Sequence, residues 1–272
     1  MGPDPPSWEL GPVVGVQIYR RDVVVRRASM AGPSCKTDNK RGDIMNLSKA
    51  SRKRLAFVAN NTQVTFRTMI TLTYPGEYTN DGEEVKAHLH KFLVWCAYQF
   101  DNPSYLWFLE FQKRGAPHIH ILLDIALSTI EERREVVYNA VRREWYKVVD
   151  SGDPKHLAAG TRVEHIRKPD GAARYCLKYA YKCEQKAVPP AYRNVGRFWA
   201  CSRDVFPEEP RTIPMDDLSV RAVLADWDYC PDEHTPVYQT LFGVADRFRT
   251  YSGILALADP DLDPDCDPVV SP

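Results

Sequence analysis

The chain has 272 residues, a hydrophobic content of 44% and no formal net charge, values that suit a globular protein with a buried core. No apolar run approaches the roughly 18 residues of a membrane-spanning helix, and residues 1–10 lack the pattern of a secretion signal. The seven cysteines are odd in number and form no CxxC pair, which argues against a disulfide framework or a zinc ribbon. We therefore expect a protein of the reducing cytoplasm.

The charges are unevenly distributed along the chain. Residues 1–67 contain 12 basic and 5 acidic side chains, whereas residues 201–272 contain 5 basic and 15 acidic ones. A basic body with an acidic tail suits a nucleic-acid-binding protein, because neutralising phosphates supplies most of the non-specific affinity. Ordinary solvated surface charge explains the same counts, so the charge pattern by itself leaves both interpretations open.

Composition divides the chain into three regions. Residues 1–60 are predicted to be a basic, partly irregular arm, in which only residues 12–27 have the pattern of a strand or hairpin. Residues 61–205 are predicted to be the ordered domain. Residues 206–272 are acidic and rich in proline, and their final stretch, residues 258–272, is expected to be disordered.

Within the ordered region, apolar periodicity predicts a strand, a helix, two strands, a helix, a strand and a helix, in that order. The predicted strands are 64–75, 104–112, 118–125 and 161–168, and the predicted helices are 83–100, 130–149 (capped by Ser128 and Thr129) and 172–185, with an extended segment at 196–203. This order predicts an α+β fold, with a central antiparallel sheet and helices packed on one side.

Two histidines on one predicted strand are the first feature that suggests chemistry. Side chains alternate between the faces of a strand, so His118 and His120 share a face while Ile119 enters the core. Glu110 lies on the neighbouring predicted strand, among apolar residues. Two imidazoles and a carboxylate suit a divalent metal such as Mg²⁺ or Mn²⁺. Paired surface or structural histidines would show the same pattern.

The chain contains a second His-x-His pattern that serves as an internal comparison. His88 and His90 fall within a predicted helix, where positions i and i+2 lie about 200° apart around the axis. They cannot readily share a metal. We expect one of them to be partly buried and the other to lie at the surface.

The last predicted helix carries tyrosines and lysines on one face. Tyr175, Lys178, Tyr179 and Lys182 follow the spacing i, i+3, i+4 and i+7, whereas Tyr181 points elsewhere. A tyrosine becomes a nucleophile when its phenolate is stabilised by cations, a role that the two lysines suit. A purely structural role would instead bury the rings and extend the lysines to solvent.

Further aromatic and basic residues have more ordinary interpretations. The sheet aromatics are expected to divide between the core and a surface for DNA: Tyr105, Trp107, Phe108 and Phe111. Four basic side chains are candidates for contacts with DNA phosphates: Lys113, Arg114, Arg193 and Arg197. We expect His156 and His165 to be exposed or satisfied by hydrogen bonds.

Three segments together resemble the motifs of a known family. The segments ITLTYP (70–75), EFQKRGAPHIH (110–120) and YCLKYAYK (175–182) resemble, in order, the three motifs of rolling-circle replication initiators of the HUH superfamily. With GRFWACSR (196–203), the resemblance is closest to the group that includes the gene II protein of filamentous phages. It covers residues 64–205 and implies that the ordered region is an HUH endonuclease domain.

The resemblance implies a role for each matching residue. His118 and His120 match the metal ligands of the family, and Glu110 resembles the third ligand. Tyr179 matches the nucleophile, and Tyr175 resembles the alternating partner of initiators with two tyrosines.

The implied reaction is metal-assisted nicking and rejoining of single-stranded or extruded origin DNA through a 5′-phosphotyrosine. A host helicase and a single-strand-binding protein are the implied partners, since the chain has no phosphate-binding GxxxxGK[ST] motif and needs no nucleotide cofactor. An HUH transposase or relaxase shares this chemistry. The same residues would also suit a non-catalytic RRM-like nucleic-acid-binding protein or a hydrolase that uses water.

Overall fold

The computed structural model describes residues 13–27, 46–168, 175–176, 188–225 and 238–258. The chain divides into two compact units, a larger one of residues 40–206 and a smaller one that combines residues 1–39 with 207–272. The division after Phe206 lies next to the predicted boundary at residue 205, whereas the predicted boundary at residue 60 falls within the larger unit. In the part of the chain that the structure describes, no helix is long and apolar enough to cross a membrane.

The larger unit is built on a five-stranded antiparallel sheet. Its strands are β3 (Thr68–Thr73), β4 (Tyr105–Phe111), β5 (Pro117–Leu123), β6 (Thr161–His165) and β7 (Trp199–Cys201). They lie in the order β6-β3-β5-β4-β7, so that β5 is central and pairs with both β3 and β4. The predicted α+β class with an antiparallel sheet is confirmed.

Strands β4 and β5 form a tight hairpin whose turn sets their register. The Gln112 N–H donates to the Ala116 carbonyl, and Gly115 has a φ of +85°, a left-handed conformation that glycine adopts without strain. The register places Glu110 opposite His118 and Phe108 opposite His120. This short turn explains why residues on the two sides of the KRGAP segment face each other.

Two long helices cover one face of this sheet. They are α2 (Gly82–Gln99), which begins where the Asp81 carboxylate accepts a hydrogen bond from the Glu83 N–H, and α3 (Glu131–Val149). Phe92 and Trp145 from these helices pack against Ile119 and Ile121 of β5 in the main core. The short helix α4 (Pro154–Ala159) lies between the predicted helix 130–149 and the predicted strand 161–168.

A third helix packs on the opposite face, where the predicted one-sided arrangement had none. Helix α1 (Lys49–Asn61) contributes Leu55 and Val58 to a cluster with Phe108 and Leu122. This helix lies in the region predicted to be a partly irregular arm. It was not predicted because polar residues outnumber apolar ones within it. Both faces of the sheet are therefore partly covered.

The smaller unit has its own sheet and core. Its strands are β1 (Val13–Ile18), β2 (Val23–Arg27), β8 (Arg211–Ile213) and β9 (Tyr238–Leu241), in the order β8-β1-β2-β9, and its helices are α5 (Asp217–Val223) and α6 (Ala245–Ala258). Val16, Val23, Val25 and Phe248 are fully buried in its core. The buried Asp22 carboxylate accepts a hydrogen bond from the Gly243 N–H, which links the β1–β2 turn to the segment before α6.

Most predicted elements of the larger unit lie within a few residues of the observed ones. Strand β3 begins four residues later than predicted, and the N-cap of α3 is Ile130, whose N–H donates to the Ser128 hydroxyl. Tyr175 and Cys176 are helical, in agreement with the predicted helix 172–185, whose remaining residues lie outside the described ones.

Candidate functional site

The two histidines of β5 and the glutamate of β4 lie together on one face of the sheet. His118 and His120 project to the same face, with ring centroids 4.6 Å apart and planes inclined at 76°. The glutamate faces them from the adjacent strand, with its Oε2 3.2 Å from His120 Nε2. The hairpin thus brings together all three of the metal ligands that the sequence suggested.

His120 is buried, with only 3% of its surface exposed, and both of its ring nitrogens have partners. Its Nε2 faces the Glu110 carboxylate, and its Nδ1 lies 3.2 Å from the Thr71 hydroxyl of β3. Its ring also stacks on Phe108, with centroids 4.8 Å apart. Because a carboxylate only accepts hydrogen bonds, Nε2 donates to it and Nδ1 accepts from the threonine hydroxyl.

His118 is half-buried and has a different partner. Its Nδ1 lies 3.2 Å from the amide nitrogen of Gln112, which follows the last residue of β4. Burial, together with the neighbouring His120 and Arg114, lowers the pKa of His118 to about 4, against the opposing effect of Glu110. The imidazole is therefore neutral near pH 7, which is the form that binds metals.

The donor set fits a divalent ion in its chemistry, although its side chains are engaged with one another. Among the described residues, no three His, Cys, Asp or Glu side chains are already arranged around a common metal position. Here the Glu110 carboxylate and His120 Nε2 lie within hydrogen-bond distance of each other. Two imidazoles and one carboxylate on adjacent strands remain a suitable set for Mg²⁺ or Mn²⁺.

Tyr175 lies beside this cluster. Its half-buried ring contacts His120 at a centroid distance of 5.7 Å and Phe108 at 6.0 Å. The next residue, Cys176, is fully buried in the cluster that α1 completes on this face. One of the two predicted tyrosines is therefore on the histidine face, next to a candidate ligand. The rest of that set, Tyr179, Lys178 and Lys182, lies outside the described residues.

The basic residues proposed to contact DNA are placed differently from one another. The side chains of Lys113 and Arg197 are exposed. The side chain of Arg114 is also exposed, and its guanidinium donates to the carbonyl oxygens of Tyr74 and Pro75 and to the side chain of Gln112. A charged residue in a sequence does not show whether its partner is a phosphate or the protein's own backbone.

The remaining histidines and aromatic residues have structural surroundings. His88 is buried and its Nδ1 lies 3.1 Å from the Tyr74 hydroxyl, while His90 is exposed, as expected. His156 is buried between the Ser151 hydroxyl and the Thr73 carbonyl, and His165 is exposed. Trp107 and Phe108, adjacent on β4, are buried in different clusters on the two faces of the sheet.

Sequence reasoning missed two residues that contact the histidines, Thr71 and Gln112. Gln112 lies on the hairpin, so the alternation that places His118 and Glu110 on one face could have identified it. Thr71 belongs to β3, and its position opposite His120 depends on the pairing of strands that are distant in sequence. No local pattern indicates that pairing.

One known family is similar to the segment of the chain that contains these residues. Residues 67–184 match the family model described as "Replication-associated protein ORF2/G2P", and this segment contains the histidines, the glutamate and both candidate tyrosines. The match covers less than half of the chain and supports a replication-associated protein resembling an initiator. No curated protein and no solved structure is significantly similar to the chain.

Proposed function

We propose that this protein is an HUH-type endonuclease that initiates rolling-circle replication by nicking and rejoining one strand of origin DNA. One observation carries the proposal. Two histidines and a glutamate share one face of adjacent strands, and the ring of Tyr175 lies against one of those histidines. The similarity to replication-associated proteins over the same residues supports the same function.

In this proposal His118, His120 and Glu110 hold a divalent ion, Mg²⁺ or Mn²⁺. A bound ion supplies Lewis-acid stabilisation of the charge on the scissile phosphate. The protein's own contribution is to fix the orientation of the two imidazoles through Thr71 and Gln112. The buried environment strengthens these interactions, because few waters compete with them.

The chemical step is a transesterification carried out by a tyrosine. The phenol oxygen of Tyr179 attacks phosphorus in line with the departing 3′-oxygen, so that one P–O bond forms as another breaks. The phenol loses its proton, and the 3′-oxygen gains one to become the hydroxyl that primes synthesis. Lys178 and Lys182 stabilise the phenolate and the transition state. Tyr175 is the second nucleophile, which accepts the strand when the circle is closed.

Contacts with DNA phosphates come from exposed basic residues near the site. Lys113 lies on the β4–β5 turn and Arg197 precedes β7, so both flank the hairpin that carries the metal ligands. A host helicase and a single-strand-binding protein supply strand separation, and the reaction takes place in the cytoplasm. No nucleotide is required, because the covalent intermediate conserves the energy of the phosphodiester bond.

Covalent capture of DNA tests the proposal. The protein is incubated with Mn²⁺ and a random pool of single-stranded oligonucleotides labelled at the 3′ end, and the adduct is separated in denaturing detergent. We expect a labelled adduct from the wild type, a loss of at least a hundredfold in Tyr179→Phe, and no adduct in the double variant with Tyr175→Phe. Tyr181→Phe, on another face of the predicted helix, is the matched control and should retain labelling.

The same assay distinguishes the endonuclease from a binding protein and from a hydrolase. A non-catalytic RRM-like protein binds the oligonucleotides but forms no adduct with or without Mn²⁺. A hydrolase that uses water cleaves them and leaves the protein unlabelled. Full adduct formation by the double tyrosine variant would remove the proposed nucleophiles.

A further inference from the structure

Arg114 and Gln112 form a chain of directed hydrogen bonds that ends on His118. The Arg114 Nε donates to the Gln112 Oε1 at 2.9 Å, and the Gln112 Nε2 lies 3.2 Å from His118 Nδ1. The guanidinium is held in place by the carbonyl oxygens of Tyr74 and Pro75, each 2.6 Å from one of its nitrogens. It also lies over the ring of Tyr78, 4.9 Å from the centroid.

The directions of these bonds define the tautomer of His118. A guanidinium only donates, so the oxygen of the Gln112 amide must face Arg114 and its NH₂ group must face the imidazole. An NH₂ group donates, and His118 Nδ1 must accept. The proton of the neutral imidazole is therefore on Nε2, the nitrogen that faces away from Gln112.

His120 differs in this respect. Its Nδ1 partner is the Thr71 hydroxyl, which can donate to a bare nitrogen or accept from an N–H by rotating about one bond. His120 can therefore lose its Nε2 proton while Nδ1 takes one up, and its neighbour adapts. The amide of Gln112 can accept from a protonated His118 Nδ1 only if it turns over. Its NH₂ group then faces the Arg114 N–H, and two donors oppose each other.

We propose that Gln112, oriented by Arg114, is a positioning residue that holds His118 in the Nε2-protonated tautomer, so that binding of a divalent ion at Nε2 requires the Arg114–Gln112 hydrogen bond to break. The expected effect on metal binding rests on the proposed metal site, whereas the tautomer of His118 does not depend on it. Arg114 ties the β4–β5 turn to the segment after β3 through the carbonyls of Tyr74 and Pro75, which hold its guanidinium in place.

Replacing Gln112 with glutamate removes the conflict. A carboxylate at this position accepts from the Arg114 Nε–H and from a protonated His118 Nδ1 together, and the imidazole then presents a bare Nε2. Such partners of metal-binding histidines typically change metal affinity 10- to 100-fold. We expect Gln112→Glu to bind Mn²⁺ about tenfold more tightly or better than the wild type.

The tautomer is measured directly, without metal, by long-range ¹H–¹⁵N correlation spectra of the full chain labelled at histidine. The signals of His118 are assigned by their loss in His118→Gln. At pH 7 we expect the proton on Nε2 in the wild type and on Nδ1 in Gln112→Glu. Arg114→Lys preserves the charge but lacks the Nε–H, so it frees the amide to turn, and a population with the proton on Nδ1 should appear.

The tautomer measurement and the Mn²⁺ titration test different parts of the inference. A wild-type His118 protonated on Nδ1, or a tautomer unchanged in Gln112→Glu, overturns the inference whatever the metal affinity. If the tautomers are as expected but Mn²⁺ titrations show no binding to either protein, the positioning chain stands and the proposed metal site fails.

Discussion

Replacing Thr71 with valine tests whether the strand next to the histidines contributes to their function. The substitution preserves the size and the β-branching of the side chain, so β3 and its packing should be unchanged. It removes the hydroxyl that lies 3.2 Å from His120 Nδ1. Because Thr71 is only 8% exposed, water cannot readily take the place of that hydroxyl.

The expected magnitudes follow from this burial. An intramolecular hydrogen bond contributes about 1 kcal/mol to stability, and a buried polar atom that loses its partner costs about 1–3 kcal/mol. We expect the free energy of unfolding to fall by about 1–3 kcal/mol. Mn²⁺ affinity should fall about 10- to 100-fold, as for residues in general that orient a metal-binding imidazole.

The matched control is Thr73→Val, two residues further along the same strand and on the same face. Its hydroxyl donates to the Gly160 carbonyl at 2.9 Å rather than to His118, which lies opposite it in β5, so its loss should lower stability without changing Mn²⁺ affinity. Urea unfolding and Mn²⁺ titration by calorimetry measure the two effects. If both variants weaken Mn²⁺ binding equally, or if Thr71→Val leaves it unchanged, the role given to Thr71 is refuted.

Two further predictions concern stability away from the site. Burial and the nearby Arg197 lower the pKa of Lys86 from 10.5 to about 7. Between these two pH values the unfolded chain binds more protons than the folded one, so stability rises with pH. The rise is at most about 1.4 kcal/mol per pH unit. Lys86→Met should abolish this rise in urea unfolding measured at pH 7 and pH 9, whereas exposed Lys91→Met should preserve it. A Cβ on Gly82 would lie 2.7 Å from the backbone of Val195, so Gly82→Ala should lower the melting temperature and reduce stability by about 1–3 kcal/mol. Gly76→Ala, where a Cβ meets nothing within 4 Å, should leave it unchanged, and equal effects of the two alanines would contradict the packing argument.

The hairpin at the centre of the site could be predicted because all of its determinants are local. The alternation of HIHILL places His118 and His120 on one face, and the short turn sets Glu110 opposite the first of them. The helices α2 and α3 were equally accessible, since their apolar residues repeat at helical spacing over four or more turns. In these elements, the residues that determine the structure are close to one another in the sequence as well as in space.

The parts that sequence reasoning missed depend on contacts between distant segments. The sheet of the smaller unit pairs β1 with β8 and β2 with β9. The strands β8 and β9 have only three and four residues, and they lie about two hundred positions after the strands with which they pair. Such short strands carry too few alternations to be recognised. The same limit applies to Thr71, whose function is visible only once β3 is known to pair with β5.

Arg114 shows how an engaged charge alters the interpretation of a site. Its position near the histidines suggested a phosphate contact, and within the protein it also makes hydrogen bonds to three backbone carbonyls and to Gln112. A guanidinium held this rigidly has a fixed direction, and so has the amide that accepts from it. A side chain that contacts no substrate can therefore decide which nitrogen of His118 is available. In the proposed metal site, the two histidines differ in readiness to bind a metal because one faces a hydroxyl that can turn and the other an amide that Arg114 holds in place.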